Sequence, residues 1–260
     1  MTSVVLSGRR NGTTHREVEL LASLPAELRL IGGLAVMCRV GSPHRTTVDL
    51  DAVARDLEGL HESIAGLAMT SSGGGQYRFA GDMDLDVIDV APVPTDELVA
   101  ELLAAGDDVS DLELNVVSLT WAHDTATPID VTAVDELGGE PLAKATDRLV
   151  ATPSGLVAMK STAIPLRAST RPEKRASDLY DLARLLVLPG DERATLADMP
   201  PMLAGSVAAR LRAWFVDDAG RDRTFRDIRR FDEPRVDLDD VADAVEELLD
   251  DLAATGAPER

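Results

Sequence analysis

The glycine pair Gly32-Gly33, delivered by the apolar run Leu28-Arg29-Leu30-Ile31 and followed one short helix later by Arg45-Thr46-Thr47-Val48-Asp49-Leu50-Asp51, constrains this chain more than any other feature. Thr-Thr-Val-Asp-Leu-Asp reads as an extended segment. Side chains alternate along a strand, so Asp49 and Asp51 share one face while Val48, Leu50 and Ala52 share the other. Successive same-face residues are about 7 Å apart. Two carboxylates at that spacing, opposite a glycine turn at a helix start, suit a divalent cation and a triphosphate. An Asp-x-Asp strand can also be a solvated sheet edge, but the glycine pair upstream favours the ligand reading.

The remaining chemistry-bearing residues narrow the choice. His15, His44, His61 and His123 have neither metal-ligand spacing nor a nucleophile motif nearby. No Walker lysine follows Gly32-Gly33, which excludes a P-loop enzyme, and Gly73-Gly74-Gly75 reads as a flexible turn. The single cysteine, Cys38, excludes an intrachain disulfide and a cysteine zinc site, as in a reducing cytosol. No apolar run reaches membrane-spanning length, so the expected location is cytoplasmic, without membrane contact. The formal charge of −20 opposes sequence-independent binding to nucleic acid. It is unevenly spread: residues 160–184 hold six bases against three acids, and residues 237–251 hold eight acids and no base.

Along the chain, hydrophobic periodicity predicts helices over residues 15–24, 34–40, 53–69 and 96–105, the last capped by Thr95. Strands are expected over 28–31, 46–52, 77–90, 114–122 and 128–134. From residue 152 the pattern turns helical, with helices over 154–166, 172–187, 204–218 and 236–254, and a loop at 220–233. The expectation is an α/β (α+β) fold, with an α/β domain over residues 1–150 and an all-helical domain over 151–260. Lys160 sits among Leu156, Val157, Met159 and Ile164, so its cation is expected to face a cleft where phosphate balances it. The alternative is a lysine snorkelling at the helix edge. Arg45 is placed to clamp a phosphate or to pair with the acidic cluster.

The blocks Gly32-Gly33-Leu34-Ala35 and Arg45-x-Thr47-x-Asp49-Leu50-Asp51 resemble the signature of polymerase-beta-type nucleotidyltransferases, and within them the AbiEii/AbiGii toxin branch. Residues 156–167, with Lys160 and a terminal Arg167, are similar to that branch's lysine-bearing helix. Arg175-Ala176-Ser177-Asp178-Leu179-Tyr180-Asp181-Leu182 is similar to its KDLYDL segment. Two departures stand out: Ser177 occupies the lysine position before Asp178, and Pro165 interrupts the lysine helix. The similarity covers roughly residues 28–187.

The resemblance implies a nucleotidyltransferase-type mixed sheet with flanking helices and a helical domain that closes over the nucleotide. It further implies three carboxylates holding Mg²⁺ or Mn²⁺, and transfer of a nucleotide from an NTP to an acceptor with release of pyrophosphate. Asp49 and Asp51 carry over as metal ligands. Asp84, Asp86, Asp89 and Asp130 all suit the third place by type; Asp86, in Leu85-Asp86-Val87-Ile88, is chosen, with Asp89 and Asp130 next. Gly32, Gly33, Arg45 and Lys160 fall to nucleotide binding, and Lys160 and Asp178 join the carboxylates as catalytic candidates. A tRNA or other RNA acceptor and a cognate antitoxin protein are the implied partners. Two rival readings are a transferase acting on a small antibiotic-type acceptor, and an inactive relative serving as a binding or regulatory module.

Overall fold

The computed structural model describes residues 2–43, 49–106, 108–167, 171–231 and 235–255. Its Cα packing divides the chain into two compact units, Met1–Pro92 with Thr125–Thr152, and Val93–Asp124 with Pro153–Arg260. The stretch Val93–Asp124 packs with the later helices.

Among the described residues, the first unit is built on eight strands: β1 (Thr2–Gly8), β2 (Arg29–Ile31), β3 (Asp49–Ala54), β4 (Thr70–Gly73), β5 (Gln76–Phe79), β6 (Met83–Asp89), β7 (Thr127–Asp135) and β8 (Pro141–Val150). They form one mixed sheet in the order β1-β7-β8-β2-β3-β6-β5-β4. Helices α1 (Thr13–Ser23), α2 (Gly32–Val40) and α3 (Leu57–Ala65) belong to the same unit. Pairing of β3 with β6 is parallel, Asp49 opposite Asp84 and Asp51 opposite Asp86, while β2 runs antiparallel to β3 with Ile31 opposite Asp51. Alternation does the sorting: Leu50, Ala52, Leu85 and Val87 are buried, and the aspartates between them are half-buried. Arg39 ties α2 to the far strands, donating from Nε to the Ala151 carbonyl at 2.9 Å and from Nη2 to the Val150 carbonyl and Thr127 Oγ1, each at 2.7 Å.

The second unit holds α4 (Thr95–Ala105), α5 (Asp111–Asp124), α6 (Pro153–Arg167), α7 (Pro172–Leu186), α8 (Pro201–Leu211), α9 (Asp218–Ile228) and α10 (Leu238–Ala254). A 3-10 turn covers Gly190–Glu192, and a π-helical segment covers Arg212–Val216 after α8. Helix α6 continues through Pro165. Thr95 is the first residue of α4 rather than its cap, and its backbone N–H and hydroxyl both donate to Asp124, at 3.0 and 2.9 Å.

Several local expectations are corrected. Residues 114–122 form helix, not strand: Leu114, Val117, Ser118, Trp121 and Ala122 are buried at helical spacing. The buried stripe is broken by Ser118, whose hydroxyl satisfies itself on Thr162 Oγ1 at 2.7 Å, so the β-branched run imitates a strand. Strands β1, β4 and β8 are additions, the expected 77–90 strand is divided between β5 and β6, and the expected 53–69 helix is shorter at its start because β3 runs to Ala54. The expected loop at 220–233 is largely α9. No helix among the described residues is long and apolar enough to cross a membrane.

Candidate functional site

Asp49, Asp51 and Asp86 converge on the sheet in the first unit, and one carboxylate oxygen from each lies within 4.8 Å of the others. The convergence follows from pairing. Parallel registration of β3 and β6 sets Asp86 beside Asp51, and the two-residue period places Asp49 on the same face. Three hard oxygen donors at that separation suit Mg²⁺ or Mn²⁺. Two carboxylate charges at that separation repel by about 3 kcal/mol at an effective dielectric of ~20, a repulsion that a bound divalent cation would relieve.

The other acids separate by register and partner. Asp84 shares the face but lies 3.5 Å from the Arg78 guanidinium. Asp89 projects from the opposite face, where its Oδ1 accepts from the Leu57 N–H at 3.2 Å. Asp130 is on β7, accepting from the Asp147 N–H at 2.9 Å with Lys144 3.8 Å away.

Gly32 lies on the β2 flank of this cluster. Its φ is +69°, and a Cβ built there would stand 2.0 Å from Asp51 Oδ2. Glycine is therefore required twice, for the left-handed backbone and for the close approach of the carboxylate. Helix α2 begins at Gly32 itself, and its N-cap residue Ile31 supplies no side-chain cap. On the other flank, a polar cavity of about 590 Å³ is lined by Asp49 and Asp86 together with Gln76, Arg78 and Ser72 of the β4–β5 hairpin. Arg45, with its neighbours 44–48, lies outside the described residues.

The second unit holds a separate charged cluster. Lys160 on α6 is buried, and its ammonium donates to Asp178 at 3.0 Å and lies 2.8 Å from Asp181, both on α7. Asp178 also accepts from Arg167 at 3.0 Å. The Lys160 cation is thus balanced by two buried carboxylates, rather than facing a cleft or snorkelling at the helix edge, and Arg167, 42 % exposed, closes the cluster at its rim. The place of Asp181 against Lys160 comes from α6–α7 packing.

A family model described as "Nucleotidyl transferase AbiEii toxin, Type IV TA system" matches residues 19–257. The match therefore runs from α1 through α10, beyond the stretch over which the sequence blocks were recognised. No curated protein and no solved structure matches significantly.

Proposed function

Because this chain belongs to the AbiEii nucleotidyl transferase toxin family and so carries nucleotidyltransferase activity, we propose that it transfers a nucleotide from an NTP to a tRNA or other RNA acceptor, releasing pyrophosphate. The observation that carries this reading is the convergence of Asp49, Asp51 and Asp86 beside the Gly32 turn. Asp49, Asp51 and Asp86 would hold Mg²⁺ or Mn²⁺. Such ions, when bound, stabilise charge on the phosphate oxygens and on the attacking and leaving oxygens. Gly32, Gly33 and the start of α2 would cradle the β- and γ-phosphates through backbone N–H groups, with Arg45 as an additional clamp. In-line displacement sets the nucleophile opposite the leaving group. With the leaving phosphates at Gly32, the acceptor hydroxyl approaches from the side of the polar hairpin cavity.

Lys160 and Asp178, within the second unit, are proposed as further nucleotide-binding and catalytic side chains. Stability gives a poor account of their cluster, since well-packed apolar residues in place of a buried ion pair are often neutral or stabilising. Groups retained against that cost are candidates for function. The family is one of toxin–antitoxin pairs, and the proposed partner is a cognate antitoxin acting in the cytoplasm.

The test is incubation of the purified protein with Mg²⁺, each α-labelled NTP and total RNA. Labelled RNA with stoichiometric pyrophosphate, abolished in Asp49→Asn and Asp86→Asn, is the expected result. Absence of transfer, together with no nucleotide-dependent thermal shift for any NTP, overturns it. Growth arrest on induced expression, lost in Asp49→Asn, separates the toxin from a transferase of small antibiotic-type acceptors.

A further inference from the structure

Two basic stretches far apart in sequence meet in the second unit. The first opens α7 with Arg171, Lys174 and Arg175; the second is the outer face of α9 and the turn after it, with Arg223, Arg226, Arg229 and Arg230. Three contacts hold them side by side. Arg230 Nη2 donates to the Glu173 carbonyl at 3.2 Å, Arg175 pairs with Asp227, and Phe231 stacks on Tyr180 with ring centroids 4.6 Å apart. The Arg175 guanidinium is held below its usual range by burial first and by the charge of Arg223 second.

Over residues 171–175 and 218–230 eight bases thus stand against four acids, Glu173, Asp218, Asp222 and Asp227, in a chain whose net charge is −20. One of those acids is already engaged by Arg175. Concentrating cations against their mutual repulsion does not serve folding. It creates a local potential felt over a Debye length of about 8–10 Å, which the acidic remainder of the surface does not cancel at that range. Beside the basic face, Phe225 is 57 % exposed and borders a cavity of about 940 Å³. Arg221, ion-paired with Asp239, and Arg229 lie one helical turn to either side of that ring and line the same cavity, together with Asp218, Asp222 and Asp237. A ring with a free face, arginines flanking it and carboxylates able to accept from base amino groups is the combination that holds an unpaired nucleotide.

We propose that the α7–α9 face is an RNA-docking surface, with the backbone of the acceptor running over Arg223 and Arg226 and one unpaired base stacking on Phe225. The proposal rests on the reading of the acceptor as RNA. Base stacking accounts for the exposed aromatic, which a folded-protein interface of pure charge complementarity leaves unused.

The test is fluorescence anisotropy of a labelled RNA hairpin bearing a single-stranded 3′ tail, titrated with the full-length protein at several salt concentrations. The variants are Arg223→Gln/Arg226→Gln, Phe225→Ala and, as a control on the first unit, Arg9→Gln/Arg10→Gln. Removing two single-strand phosphate contacts is expected to lower the slope of log K against log salt by about 1.4. Phe225→Ala is expected to weaken binding about 5- to 150-fold with the slope unchanged. The control variant should match the wild type. RNA binding that is absent in the wild type, or unchanged in both α9 variants, overturns the proposal. So does loss of antitoxin binding by the α9 variants with RNA binding intact, which makes the face a protein interface. Thermal shift with Mg²⁺ and NTP, read in parallel, separates the two ideas. Absence of both the shift and nucleotide transfer beside intact RNA docking refutes the transfer reading alone, and presence of the shift beside failed docking refutes the docking surface alone.

Discussion

Replacing Gly32 by alanine tests the logic of the acidic centre at a residue that carries no functional group. The new Cβ would lie 2.0 Å from Asp51 Oδ2 and 2.7 Å from Asp51 Cβ and Cγ. Restoring an ordinary contact of about 3.5 Å means displacing the carboxylate by roughly 1.5 Å. A misplacement of about 1 Å at a reacting centre costs about 100-fold in rate, so transfer should fall by at least that factor. Mn²⁺ affinity, read by calorimetric titration, should fall about 10- to 100-fold, the usual effect of disturbing how a metal ligand is held. The left-handed backbone adds about 1–3 kcal/mol of strain, lowering Tm by roughly 2–12 °C. Gly41→Ala is the control, because Gly41 has φ +74° with nothing within 4 Å of a built Cβ, so it incurs the backbone strain without the collision. Gly32→Ala protein with the Tm loss of Gly41→Ala but wild-type Mn²⁺ affinity and transfer would refute the placement of Asp51 in a metal centre.

Three further outcomes follow from buried groups. Lys160→Met leaves Asp178 and Asp181 buried without their ammonium, and should cost about 3–5 kcal/mol by urea denaturation as well as abolishing transfer; a cost near zero would show the carboxylates well compensated elsewhere. Arg39→Met deprives the Ala151 and Val150 carbonyls of a charged donor and should cost about 3 kcal/mol or more on the same assay. Burial pushes the Cys38 thiol up from 9.0 to about 12, so native protein should resist alkylation at pH ~8. Because the folded value is the higher one, the associated stability is complete below pH 9 and is lost as pH rises toward 12, about 1.4 kcal/mol having gone by pH ~10. Cys38→Ala should lack that alkaline loss in denaturation curves at the two pH values.

How far the site could be read in advance depended on how local its determinants are. Asp49 and Asp51 are two residues apart on one strand, so their shared face follows from backbone geometry, and the glycine pair marks a turn by residue type. Asp86 had competitors of equal chemical standing. What separates it from Asp89 is strand parity, and what separates it from Asp130 is the order of strands in the sheet, with β8 and β2 standing between β7 and β3. Helix α5 does not show in the sequence pattern because its buried Ser118 interrupts the apolar stripe, and the hydroxyl is met by the Asn115 carbonyl within the helix and by Thr162 on α6.

The amino-acid sequence by itself determined the motif blocks that mark the family, the change from alternating to helical patterning, and the acidic balance of the chain, because each is a property of neighbours along the backbone. Tertiary structure decided which carboxylate joins Asp49 and Asp51, why residue 32 must be glycine, which acids engage Lys160, and that the bases of α7 and α9 form one face. Each of these depends on segments distant in sequence brought into register by sheet pairing or helix packing, and no local periodicity encodes that register.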